Sequence, residues 1–422
     1  MLNYDDYFEE ALDLFENDEN IQGDRTAIAR FLRHKYNIKS SQDAVRKGIS
    51  SRLTNYYADK EIIEQNVRLK KGHQKAQDQN RIHNKSFREH ARLENALEEF
   101  SKAQLAVYKE HSKALKSIKL RPLIKTHQKG VGVMQITDLH GNELVDLPHN
   151  KYDFTVMAKR LKFYVSQCIE HFKLKKYNKV AMLFTGDLLN SDRRLDELLN
   201  QSTNRAKATS LMRYILTQAI LDVRNAGFEI TIVSVLGNES RAGKEMPYSN
   251  EGLSDNYDFM IMDGIRQMFE MAKIKGVTFK GLDKVEEVVE IDGKNWLMSH
   301  DVSRMTSQQT KAQSGIGRYA LNGVHISFMI GGHIHATNVT DISARSSSMV
   351  GANSFSENAL NLAGKAAQNY YLCENNHINT VVVDLQDIDG MDGYEVISQL
   401  EAYNAKSVSK LETPKTVFKV VI

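Results

Sequence analysis

Two aspartates, an asparagine and four histidines recur in five short blocks between Asp138 and His335, each at the end of an apolar run. The blocks read Asp138-Leu139-His140, Gly186-Asp187, Gly237-Asn238, His300, and Gly332-His333-Ile334-His335. Mixed carboxylate, imidazole and amide-oxygen donors suit manganese, iron or zinc better than calcium or a thiolate-selective metal. The set is large enough for two adjacent divalent cations. A carboxylate can bridge two cations, and two metals about 3.5–4 Å apart lower the pKa of a shared water. The resulting hydroxide attacks phosphorus, while the cations offset charge developing on the phosphoryl oxygens. One such histidine or aspartate is usually an ordinary partly buried residue; the ordered set is what points to a site.

For that chemistry the blocks must converge. Gly132–Thr137, Lys179–Phe184, Glu229–Leu236, Asn295–Ser299 and Val324–Ile330 read as buried strands, with Tyr152–Phe172 and Asn204–Ala226 as helices between them. This alternation predicts an α/β domain with largely parallel strands. Ligand sites in open α/β sheets collect beyond the carboxyl ends of the strands, which is where every block stands. Gly186, Gly237, Gly331 and Gly332 permit tight turns where backbone must approach the site.

The ordered blocks resemble the calcineurin-like metallophosphoesterase superfamily, whose pattern runs DxH, GD, GNH(D/E), H, GHxH, and the resemblance spans 128–395. It implies a metallophosphoesterase-type β-sandwich core flanked by helices, an α/β fold preceded here by an all-α N-terminal region. It further implies that Asp138, His140 and His335 hold one metal, that Asn238, His300 and His333 hold the other, and that Asp187 bridges them. Manganese is the expected ion at both places, with iron(II) or zinc as the alternatives. Ser346–Asn353, continuing through Asn358-Ala359-Leu360-Asn361 to Gln368-Asn369, resembles the end of a phage-type subgroup described as exonuclease-like. That subgroup is similar to the nuclease subunit of bacterial double-strand-break repair complexes, and Arg81–Asn95 resembles its helical arm. The third block departs from the pattern, because Glu239 stands where the family has a histidine that steadies the transition state or protonates the leaving oxygen. Glu239 as a general acid, which requires a raised pKa, Arg241 as a source of positive charge, and His325 are the candidate replacements. A substrate whose leaving group is already good would suffer least from the change.

Upstream, 1–57 reads as a small helical domain, with two helical patterns in Arg25–Leu53 separated by Asn37–Ser41 and a capping serine at Ser40 or Ser41. The second pattern carries Arg46, Lys47 and Arg52, as a helix-turn-helix would and as a small docking domain also can. Residues 58–127 form a basic helical arm or linker; from Lys60 to Lys125 there are 16 Lys/Arg against 8 Asp/Glu. Leu93, Leu97, Phe100, Val107, Ala114 and Ile118 make a helical stripe there, fitting a long helix or a helical hairpin that packs on the next domain, pairs with a second copy, or lies along nucleic acid. Residues 396–422 read as a tail with a final strand, Thr416–Ile422. Arg193, Arg194 and Arg241, and Arg304, Lys311 and Arg318 in an expected loop from Asp301 to Arg318, are candidate phosphate contacts.

The 422 residues suggest two or three folding units. Hydrophobic content of 41% supplies a sizeable core, and the net charge of +3 alone predicts no polyanionic partner. Two cysteines without CxxC spacing argue against a disulfide framework or zinc ribbon and fit a reducing cytoplasm, the host's if the chain is phage-encoded. The acidic opening lacks the pattern of a signal peptide, and the absence of a long apolar run predicts no membrane span. The expected function is a metal-dependent phosphodiesterase or nuclease acting on DNA, with a possible homodimer through the arm. The competing readings are a phosphatase or phosphodiesterase for nucleotides or phosphoproteins, and a metal-binding, catalytically weak protein that binds DNA or a partner.

Overall fold

The computed structural model describes residues 7–125, 129–243, 255–301, 308–358, 364–388 and 390–408. The expected strand Thr416–Ile422, Arg304 and Ala359–Asn361 lie outside them. The chain divides into two compact units, Met1–Leu105 and Ala106–Ile422.

The first unit holds α1 (Phe8–Asn17), α2 (Arg25–Lys35) and most of α3 (Gln42–Ser117). Asp24 caps α2 by accepting from Thr26 and Ala27 amides at 2.8 and 3.1 Å. Ser41 accepts from the Ala44 amide at 3.2 Å and so opens α3. Ala11, Ile28, Leu32, Val45, Ile49 and Leu53 bury one face of each helix in a common core. Arg46 and Lys47 both pair with Asp43, at 2.7 and 3.0 Å, so part of this helix's positive charge is answered locally. Of the two arm shapes read from the sequence, α3 is the long helix.

The second unit begins on the end of α3, where Leu115 joins the core and Tyr108 lies under the Arg213 guanidinium at 5.2 Å. The elements then run β1 (Val131–Ile136), β2 (Val145–Leu147), β3 (Asn150–Tyr152), α4 (Phe154–Leu174), β4 (Lys179–Thr185), α5 (Leu195–Leu199), α6 (Arg205–Asn225) and β5 (Glu229–Val235). They continue with α7 (Tyr257–Ala272), β6 (Val277–Phe279), β7 (Glu286–Ile291), β8 (Lys294–Ser299), α8 (Gln308–Leu321), β9 (Phe328–Gly331), β10 (Asn338–Val339) and β11 (Ser343–Arg345). Last come α9 (Ser354–Asn358), β12 (Ala367–Glu374), β13 (His377–Asp384) and α10 (Ile397–Ala402).

Two sheets form, ordered β13-β12-β1-β4-β5-β6 and β10-β11-β9-β8-β7, plus the β2–β3 hairpin. They stack as the expected sandwich. Val133, Leu183 and Val235 of the first sheet meet Trp296, Met298 and Ile330 of the second. The alternate residues Met134, Met182 and Ile232 face outward under α4, α6 and α7. Burial on both faces is why these strands read as unbroken apolar runs. On the outer side of the second sheet, Ala312, Ile316 and Tyr319 of α8 cover Leu297 and Met329. That packing makes a helix of 308–321, where the sequence suggested a loop. The strands are also more mixed than expected: β12, β13, β7 and β10 are antiparallel to their neighbours. Parallel pairing is kept where it matters for a site, along β1, β4 and β5 and between β8 and β9.

Trp296 sits fully buried between the sheets, 4.9 Å from the Phe328 ring and 5.1 Å from Tyr371. Phe328→Ala is expected to lower unfolding free energy by roughly 3–5 kcal/mol, followed by denaturant titration of Trp296 fluorescence; a loss below about 1 kcal/mol would show the sandwich interior collapsing around the gap.

Candidate dinuclear metal centre

Parallel pairing sends the carboxyl ends of β1, β4 and β5 to one edge, and those of β8 and β9 to the corresponding edge of the second sheet. The five blocks follow these strands, so residues nearly 200 positions apart in sequence meet. Two groups form, Asp138 with His140 and His335, and Asp187 with His300 and His333. Within each, one ligand atom per residue lies within 4.8 Å of the others. Five of these residues take left-handed backbone angles: Asp138 (φ 48°), His140 (42°), Asp187 (53°), His333 (80°) and His335 (51°). Such angles are uncommon for side chains other than glycine and mark functional turns.

The donor atoms face one another. His300 Nδ1 lies 2.7 Å from the Thr185 carbonyl oxygen and donates to it. That leaves Nε2 of the neutral ring bare, 2.9 Å from Asp187 Oδ2 and 3.0 Å from Asn238 Oδ1. His140 Nδ1 is 3.2 Å from Asn190 Oδ1, which turns its Nε2 to within 3.0 Å of His335 Nε2. Asp138 Oδ1 stands 3.7 and 3.3 Å from those two ring nitrogens. Convergent lone pairs repel unless a proton or a metal ion sits among them, and a ring nitrogen held by a carbonyl or amide oxygen is the usual support of a metal-ligating histidine. The residues therefore fit divalent ions, one per group, with Asn238 contributing its oxygen beside His300.

Without metal, protons must answer the buried carboxylates. Burial alone would lower His140 and His300, but Asp138 beside His140 and Asp187 beside His300 outweigh it and push both up to about 10. Burial works against ionising Asp187, yet the His300 charge brings it down to about 2. Asp138 is likewise held well below the usual carboxylate range by its hydrogen bonds to His140 and His335, against the effect of burial. His333 is lowered by burial and by the His300 charge.

Sequence reasoning missed Asp258, Arg205 and Gln135 among the residues that hold this arrangement. Asp258, at the start of α7 and fully buried, accepts from the amides of Asp187 (3.0 Å), Leu188 (2.9 Å) and Gly237 (2.9 Å). One carboxylate thus ties together the loops carrying two ligands. Burial and the Asp187 charge push Asp258 up to about 6. Gly237 packs so closely there that a Cβ would lie 2.1 Å from Asp187 Oδ1. Arg205 donates to the carbonyls of Glu239 and Arg241, both at 3.0 Å, and stacks over Tyr257 at 4.2 Å. Gln135 crosses the sandwich to donate to the Gly331 carbonyl at 2.7 Å. Gln368 accepts from the Thr137 amide at 2.9 Å, and the Met349 amide donates to the Asp138 carbonyl at 3.0 Å, so the stretch after Ser346 braces the first block.

The candidate catalytic and phosphate-binding residues are placed as follows. Glu239 accepts from Asn238 Nδ2 at 2.5 Å and from Arg193 Nη2 at 2.6 Å, one bond to each carboxylate oxygen. Arg241 Nη1 donates to the Asn238 carbonyl at 3.0 Å. Arg194 pairs with Glu197 at 2.6 Å, and Arg318 with Glu286 on β7. His325 does not reach the site: it precedes β9, at the end of that strand opposite to His333. A cavity of about 730 Å³ opens onto His140, Asp187, Asn238, Glu239, His333 and His335. The rest of its lining includes Glu143, Asp146, Asp196 and Glu197, apolar Leu144, Val145, Leu199 and Ile334, and the cations Arg194 and Lys406. Burial raises the Glu143 carboxyl, which accepts from Asn353 Nδ2 at 2.7 Å.

Two outcomes follow. Because His140 and His300 rise above their ordinary 6.5, the stability they add is fully present below about 6.5 and is lost as pH climbs through about 10. Metal-stripped protein should therefore lose stability across that window, and divalent binding should release protons within it; a flat profile without proton release would contradict the arrangement. Asp258→Asn should cost roughly 1–3 kcal/mol of stability by leaving a buried amide poorly paired. It should also weaken divalent binding, and an unaltered metal titration would deny Asp258 its bracing role.

No family profile matches the chain, and no curated protein sequence matches it. Among solved structures it is similar to a conserved phosphoesterase-type protein of Streptococcus pneumoniae, with 10% identity, 64% of this chain and 95% of that chain covered, and a TM-score of 0.27. It is also similar to a dimetal phosphatase from Danio rerio, with 8% identity, 61% and 97% covered, and a TM-score of 0.31. A 5'-nucleotidase from Candida albicans gives 11% identity, 67% and 58% covered, and a TM-score of 0.28. Likenesses at this level carry no weight for the function, which has to be read from the site.

Proposed function

We propose that this chain is a dinuclear metal-dependent phosphoesterase that hydrolyses phosphodiester bonds of DNA. One observation carries the metal-centre reading: two donor groups, each built around a buried carboxylate, meet at adjacent strand ends beside one cavity. Asp138, His140 and His335 hold one ion, and Asn238, His300 and His333 the other. Asp187, whose charge is felt by both His140 and His300, bridges them. The oxygen and imidazole donors favour manganese, with iron(II) or zinc as the alternatives. Bound there, two divalent cations supply an activated water and neutralise charge on the phosphoryl oxygens.

The chain's own residues set the orientation. The Glu239 amide donates to Asp187 Oδ1 at 2.7 Å, which leaves Oδ2 turned toward His300. DNA as the substrate is supported by the excess of lysine and arginine from Lys60 to Lys125 and by the basic start of α3. The same arm is the proposed route to a homodimer. A second reading, a nucleotide-sized ester, is favoured by the cavity, whose size suits a small ligand.

Assays with manganese on single- and double-stranded DNA, beside a simple phosphodiester and its monoester, separate the two. Cleavage of DNA and diester is expected, abolished by Asp187→Asn with DNA affinity largely kept. A strong monoester preference would exclude the nuclease, and undiminished cleavage by Asp187→Asn would exclude the bridge. If the arm touches phosphates, neutralising its lysines should also flatten the salt dependence of DNA binding.

A further inference from the structure

We infer that Glu239 is a positioning residue that selects which end of the Asn238 amide faces the metal centre. This rests on the metal-binding reading above and concerns how the second ion is held. An asparagine side chain offers an oxygen and an NH₂ group of nearly the same shape, and only the oxygen can ligate a cation. The two ends of Asn238 meet opposite partners. Nδ2 donates to Glu239 Oε1 at 2.5 Å, while Oδ1 is directed at His300 Nε2 at 3.0 Å. Turning the amide over would set its oxygen against a carboxylate oxygen and its NH₂ group into the centre.

Glu239 can do this because it is itself fixed. Arg193 donates from Nη2 to Glu239 Oε2 at 2.6 Å and from Nη1 to the Asn238 carbonyl at 2.8 Å, with Nε held by Ser191 Oγ at 2.9 Å. The Glu239 side chain is 21% exposed and pinned from both sides, so its Oε1 has a fixed place for the amide hydrogen. The glutamate that replaces the expected histidine therefore acts through Asn238.

The test is calorimetric titration of the full chain with Mn²⁺ alone, with folding checked by circular dichroism. The wild type is expected to bind two ions. Glu239→Ala should weaken the second by about 10- to 100-fold, as loss of a partner behind a metal ligand does; Glu239→Leu carries the same expectation should the truncation not fold. Asn238→Asp alone should also weaken it, because two carboxylates then face each other. Combined with Glu239→Ala, however, Asn238→Asp should restore binding, since an aspartate has no wrong end. Wild-type affinity in Glu239→Ala, or a double variant no better than that single one, would overturn the assignment. A wild type that binds no ions would instead remove the metal-centre reading on which it rests.

Discussion

Everything at the site follows from the burial of two carboxylates, Asp138 and Asp187, with essentially no exposure to solvent. An isolated carboxylate in such a place costs several kcal/mol unless positive charge and hydrogen bonds answer it. Among the described residues, the ion-pair and hydrogen-bond partners of the two carboxylates are imidazoles, the Thr137 hydroxyl and backbone amides. Protons on the imidazoles can meet that negative charge, and in the function proposed above metal ions take their place.

That choice constrains the backbone. Aspartate, asparagine and histidine have short side chains, so the ends of the five strands that carry them must themselves approach. Parallel pairing aligns the ends, Gln135 ties the two sheets across their interior, and Asp258 gathers the amides of two loops. The helices on the outer faces serve this indirectly by burying the far side of each strand. Arg205 shows the same logic from a helix: its guanidinium is spent on two carbonyls of the third block.

The strands bearing the ligands were legible because they are buried on both faces, which writes an unbroken apolar run ending in a polar block. The antiparallel edge strand β13 carries the same sandwich on but leaves no such mark, because Thr380 is half-buried and Val382 is exposed. Helix α8 was hidden for a related reason, its glycines and polar residues outnumbering the three apolar ones that pack. Asp258 was invisible for a different one. A carboxylate that gathers backbone amides needs no particular neighbour in sequence, and it lies 71 positions from Asp187. The departure at Glu239 was legible as a letter but not as a contact, since its partner Arg193 belongs to another loop.

The left-handed turns at Asp138, His140, Asp187, His333 and His335 have a consequence for how such a centre can change over time. Among residues with a Cβ, asparagine, aspartate and histidine tolerate this conformation best. Glutamate and cysteine, chemically able to bind metals, enter it less readily. The backbone thus narrows the alphabet before coordination chemistry is consulted, and a sulfur-rich version selective for softer ions would require these turns to be rebuilt, not merely relettered.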